Sequence, residues 1–124
     1  MITGIGIDIV HVNRMESWLT NKKLMEKYFR PEEISFVLSK GKKAAQSIAA
    51  RFAAKEAFGK ALGTGLFNIA LKDIMIVNSE NGKPELKLFS SAQKEFDKSG
   101  ADKIHVSLSH EKENAIAMVI LEGA

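Results

Sequence analysis

Apolar positions recur every second residue near both ends of the chain and with a helical period between them. In residues 2–10, Ile5, Ile7 and Ile9 share one side, and Gly4, Gly6 and Asp8 share the other. That alternation predicts a strand, with two glycines clearing room for something to approach the face that carries Asp8. Residues 104–110 alternate in the same way, with Ile104, Val106, Leu108 and His110 opposite His105, Ser107 and Ser109. A polar turn and an apolar stretch, 115–121, follow, so the chain is expected to close in a hairpin. Residues 71–77 and 85–89, on either side of Asn81-Gly82-Lys83-Pro84, predict another hairpin.

Between these strands the pattern is helical. The longest helix is expected from about 44 to Gly63, where alanine, leucine, lysine and glutamate favour helix and glycine is a natural stop. Ala50, Ala53, Ala54, Ala57 and Ala61 gather on one side of it, where another backbone can pack closely. Its charges do not share one polar face: Arg51 and Lys55 point roughly opposite to Glu56 and Lys60, as in a largely buried helix whose charges need partners. Three shorter helices are expected before it. Asn13 and Glu16 have capping-box spacing for a helix reaching Thr20, residues 22–29 form the second, and Pro31 opens a third that stops before Gly41. Residues 90–98 predict one more helix, with Ser90 and Gln93 as its capping pair. The sum is an α+β single domain over residues 1–124, an antiparallel-type sheet packed around a central buried helix.

Composition narrows the function classes. A chain of 124 residues without cysteine has neither a disulfide framework nor a thiolate metal site, which fits a reducing compartment, and a cytoplasmic location is expected. No apolar run approaches the ~20 residues of a membrane span. The net charge of +3 suits an acidic protein, a phosphorylated ligand or a nucleic acid, and selects none of them. Arg14, Lys22, Lys23, Lys27 and Arg30, interleaved with Met15, Trp18, Leu24 and Met25, form either a solvated face over a core stripe or a surface for docking a partner.

Candidate chemistry centres on carboxylates in apolar settings. Glu56 adjoins the stripe of Ile48, Phe52 and Gly59, where a carboxylate is costly unless paired, hydrogen-bonded or bound to metal. Lys60, four residues on, could pair with it on the surface. Asp8 has the plainer alternative of pairing with His11 or Arg14. Gly4-Ile5-Gly6 lies inside a strand and lacks a third glycine, so it is no dinucleotide loop. There is no Ser-His-Asp set and no zinc-like histidine spacing.

Three separated segments resemble holo-[acyl-carrier-protein] synthases, the small single-domain class of 4′-phosphopantetheinyl transferase. They are residues 4–8, residues 51–65 with the sequence RFAAKEAFGKALGTG, and residues 105–110 with the sequence HVSLSH. Asn81-Gly82-Lys83-Pro84 also matches, and the likeness spans the chain, departing at Asn21 and Leu24, where some relatives carry arginine. The resemblance implies transfer of phosphopantetheine from coenzyme A to a serine of apo acyl carrier protein, with Mg²⁺ as cofactor and adenosine 3′,5′-bisphosphate released. It implies Asp8 and Glu56 as metal ligands, and Lys60 as the cation for phosphate charge. Arg51, Ser109, His110, the turn Gly63-Thr64-Gly65 and the loop Asn81-Gly82-Lys83-Pro84 would bind coenzyme A, and Arg14 would dock the carrier protein. The base for the serine proton stays open between Glu56 and a hydroxide on the metal. Relatives are homotrimers with interfacial sites, so the alanine face and strand edges are candidates for packing between copies; no nucleic-acid or membrane partner is implied. The competing reading is a non-enzymatic basic module for an acidic protein or RNA, and a third is a structural oligomer component.

Overall fold

The computed structural model describes residues 1–124. Its frame is a three-stranded antiparallel sheet in the order β1 (Ile2–His11), β5 (Asn114–Glu122), β4 (Lys103–His110), and one long helix, α3 (Ala44–Leu62), lies across its inner face. A two-stranded antiparallel hairpin, β2 (Ile74–Asn78) with β3 (Pro84–Leu88), forms a separate sheet near the free edge of β4. Helices α1 (Lys22–Tyr28) and α2 (Pro31–Leu38) precede α3, and α4 (Ser90–Lys98) bridges the hairpin to β4.

The two glycines of β1 explain how the helix reaches the sheet. A side-chain carbon on Gly4 would overlap the Ala61 carbonyl, and one on Gly6 would overlap the Ala57 carbonyl. What approaches the glycine face is therefore the backbone of α3. Opposite, Ala115, Ala117, Val119 and Leu121 of β5 are all buried, and Ala53, Ala54 and Ala57 of α3 are fully so. The alanine face expected to serve packing between copies is used inside this chain instead. The face left open is the isoleucine side of the sheet: Ile5, Ile7 and Ile9 are 60%, 53% and 61% exposed, and Ile116 and Met118 beside them are also exposed.

Helix α3 ends where expected, with Gly63 in the left-handed region at φ 86°. Three local expectations give way. Val12–Thr20 is a 3-10 helix, and Asn13 does not cap it, because the Val12 amide donates to the Glu113 carbonyl at 2.8 Å and ties the chain to the β4–β5 turn. Leu71–Asp73 is a 3-10 turn ahead of β2, since Asp73 accepts from the Ser91 amide and hydroxyl at 3.1 and 2.6 Å and pairs with Arg30 at 3.3 Å. The same contacts remove the capping pair of α4: Ser90 sits at φ 36°, and Gln93 bonds Asp97 instead. Trp18 packs against Tyr28, Phe29 and Phe52 with ring centroids 5.6, 6.3 and 5.3 Å away, so the aromatic part of the basic segment belongs to the core.

Candidate active site

Asp8, two residues beyond Gly6 on the same side of β1, lies where the strand meets α3. Lys60 Nζ donates to Asp8 Oδ1 at 2.9 Å and to the Ile7 carbonyl at 3.0 Å. Asp8 is thus paired with neither His11 nor Arg14, and Lys60 is turned away from the surface pair with Glu56. Glu56 makes no hydrogen bond, and desolvation, followed by the charge of Asp8, pushes its carboxyl above the usual range; Lys60 and Arg14 oppose that shift. The Arg14 guanidinium lies 5.4 Å from the centre of the Phe52 ring, at the edge of the same cluster.

Two carboxylates from different elements, one without a hydrogen bond, make an oxygen-only donor set. No three histidine, cysteine, aspartate or glutamate side chains converge to form a closed metal cage. That suits Mg²⁺, which takes one or two carboxylates and completes its shell with phosphate oxygens and water.

A second site opens on another side of α3. A cavity of about 620 Å³ lies between α2, α3, the β2–β3 loop and β4, with Lys40, Lys43, Lys83 and His110 among its lining. Arg51, only 4% exposed, donates from Nη2 to Asn78 Oδ1 at 2.7 Å, and its guanidinium carbon lies 4.1 Å from the centre of the Phe36 ring. Burial holds its pKa below the usual arginine value, with the Glu33 charge opposing. Of the expected coenzyme-binding residues, Arg51, Gly82, Lys83, Pro84 and His110 line this cavity.

The others do not. Asn81 shapes the loop, accepting from the Ser79 hydroxyl and from the Lys83 amide at 3.2 Å. Ser109 alternates to the outer face of the sheet, opposite Ile116. In the turn Gly63-Thr64-Gly65, the amides of Gly63 and Gly65 already bond the Lys60 and Gly59 carbonyls at 3.0 Å, so the turn offers fewer donors than its sequence suggests. Nine residues separate Arg51 from Lys60, about two and a half helical turns, which sets the two side chains on opposite sides of α3. The structure therefore brings Asp8, Glu56 and Lys60 together and keeps Arg51 and His110 apart from them.

Lys55, next to Glu56, belongs to neither site. Fully buried, its ammonium donates to Glu33 Oε1 at 2.9 Å, to the Leu71 carbonyl at 3.0 Å and to the Ile74 carbonyl. Glu33 in turn accepts from the Arg30 and Ile76 amides at 3.1 and 3.2 Å. Burial, only partly offset by Glu33, pulls Lys55 down to about 8. Sequence reasoning missed Glu33 and Asn78. For Glu33 the available signal was its position four residues before the buried Val37, on the core side of α2.

The model of the 4′-phosphopantetheinyl transferase superfamily matches residues 4–119, and the chain belongs to that superfamily. A holo-[acyl-carrier-protein] synthase of Treponema denticola is 57% identical over 123 residues, covering 99% of this chain and 100% of the relative. Among solved structures, the Bacillus anthracis synthase in complex with CoA (3′,5′-ADP) matches with a TM-score of 0.82 and 39% identity, covering 100% of this chain and 99% of that one. The Helicobacter pylori synthase in complex with coenzyme A matches with a TM-score of 0.79 and 36% identity, covering 95% and 99%. Within the superfamily the chain falls with the holo-[acyl-carrier-protein] synthases, and it is a transferase. The reading as a non-enzymatic basic module is set aside. No helix is long and apolar enough to cross a membrane.

Proposed function

We propose that the protein moves the phosphopantetheine arm of coenzyme A onto a serine of an apo acyl carrier protein in the cytoplasm, releasing adenosine 3′,5′-bisphosphate in a Mg²⁺-dependent reaction. The observation that carries this is the Asp8, Glu56 and Lys60 cluster, with one carboxylate unpartnered and partly desolvated. Asp8 and Glu56 hold the ion. Bound there, Mg²⁺ supplies charge neutralisation at the pyrophosphate. The carrier serine oxygen attacks the β-phosphorus, the bond to the adenosine 5′-phosphate breaks, and Lys60 faces the charge that builds on the leaving phosphate. The second cavity takes the phosphorylated adenosine end, with Arg51, Lys83 and His110 as its cations. Arg14, exposed beside Glu56, docks the acidic carrier protein.

Because Arg51 and Lys60 point to opposite sides of α3, a second copy supplies the missing half of each site. The exposed Ile5, Ile7, Ile9, Ile116 and Met118 give that copy an apolar seat. A contact between unlike surfaces closes into a ring, and the ring is the trimer that the resemblance implies. The test combines sedimentation with the mass shift of apo carrier protein on adding coenzyme A. Wild type should be trimeric and should load the carrier only with a divalent cation, and Ile7→Glu should yield an inactive monomer. Loading in the presence of a metal chelator, or full activity from a monomer, would overturn the reading.

A further inference from the structure

Gln46, in the first turn of α3, and His110, the last residue of β4, meet between two clefts. His110 lines the cavity that takes the coenzyme, while Gln46 lines a neighbouring cleft of about 560 Å³ that also holds residues of the 3-10 segment and of the β4–β5 turn. His110 Nδ1 lies 3.0 Å from Gln46 Oε1, the one hydrogen bond that either side chain makes. An amide oxygen only accepts, so the ring nitrogen facing it carries a proton. Nε2 is then the nitrogen left for the cavity, an acceptor in the neutral ring and a donor in the imidazolium.

An ionised phosphate oxygen also only accepts. With Nδ1 committed, a neutral His110 offers it a lone pair, and only the imidazolium offers an N–H together with a charge. The tautomer that Gln46 selects makes the second proton a condition of the contact. We propose that Gln46 is a positioning residue for the coenzyme, holding His110 so that it meets the phosphates through Nε2 and only when protonated. That role rests on the reading of His110 as a cation of the coenzyme's seat.

The surrounding charges act on the same step. Lys40, Lys43, Arg51 and Lys83 line the cavity with His110, and an anion placed among them favours the charged ring, so ligand and proton enter together. On the Gln46 side, Lys42 and Lys112 balance Glu16 and Glu113, with His11 beside them. Glu111, next to His110 in the chain, is occupied by the Glu113 and Asn114 amides at 3.0 and 2.5 Å.

The experiment is calorimetric titration of the full-length protein with coenzyme A across the histidine range, about pH 5 to 8. Each variant is compared with wild type at the same pH, so that ionisation of the ligand cancels. Gln46→Leu should bind about fivefold more weakly at about pH 6, the worth of one neutral hydrogen bond. The gap should close to under about twofold by about pH 8, where a freed neutral ring can present either nitrogen as donor. Gln46→Glu, which keeps the acceptor and adds a negative charge, should hold affinity about one pH unit further into the alkaline range. On a His110→Gln background neither substitution should matter, which separates His110 from His11. A Gln46→Leu deficit that is equal at every pH, or that survives on the His110→Gln background, would overturn the role of Gln46 while leaving the functional reading intact. Failure of the wild type to bind coenzyme A would overturn both.

Discussion

Lys55 and Glu56 are neighbours in sequence, yet they belong to charge clusters of opposite character. Around Lys55 every valence is met: three acceptors surround the ammonium, and both oxygens of Glu33 are used, one of them by the Ile76 amide. Around Glu56 almost nothing is met. Its carboxylate has no hydrogen bond, Asp8 repels it, and Lys60, whose side chain is 53% exposed, is engaged by Asp8 and the Ile7 carbonyl. A closed cluster can only hold the fold together, here by bolting α2 and β2 onto α3. An open one is poised for something the chain does not contain.

The difference can be broken from either side. Lys55→Met should cause the largest loss of stability, roughly 3–5 kcal/mol, because it strands the Glu33 carboxylate in the core. Adding Glu33→Leu should recover much of that loss, as denaturant titration of the single and double variants would show. A single variant as stable as wild type would mean that the cluster is not a bolt. Asp8→Ala and Glu56→Ala should leave melting nearly unchanged and cut kcat/KM by about 10²–10³-fold or more, and a collapse of either variant would erase the contrast. Lys60→Ala should lose more in kcat than in coenzyme A binding, since its charge matters most when phosphate charge shifts; equal losses would make it a ground-state clamp.

The smallest effect is the most diagnostic. Glu56 has a higher pKa in the folded chain than in the unfolded one, so the folded state holds more protons and loses stability as pH rises from the ordinary carboxylate range through the raised value. Metal-free Glu56→Gln should therefore melt slightly above wild type at neutral pH and lose that advantage in acid. Added Mg²⁺ should raise the melting temperature of wild type and not of the variant. A variant less stable than wild type at neutral pH would place Glu56 with the structural charges.

Legibility in the sequence follows the same division. The strands and α3 were readable because their periods are strong and Gly63 marks the stop. The open cluster was readable because a carboxylate beside an apolar stripe is conspicuous without a partner. The bolt was not, since Glu33 is 22 residues from Lys55 and sits where acidic residues ordinarily mark a helix start. The role of Asn13 was misread because the deciding bond runs from the Val12 amide to the Glu113 carbonyl, in the turn that leads into the neighbouring strand and far away in sequence. Which polar groups meet, as Gln46 and His110 do from 64 positions apart, is a property of the packed molecule alone.

The glycine face of β1 bears on the ion proposed for Asp8 and Glu56. The gap between strand and helix is gauged by backbone touching backbone at Gly4 and Gly6, and Asp8 and Glu56 stand on the two sides of that gap. Mg²⁺ accepts oxygens only near 2.0–2.1 Å, whereas Ca²⁺ tolerates about 2.3–2.6 Å. A methyl at Gly6 would overlap the Ala57 carbonyl, so strand and helix could keep it only by moving apart. An ion held as proposed between the two carboxylates would thus be gauged partly by a hydrogen atom that no side chain has replaced.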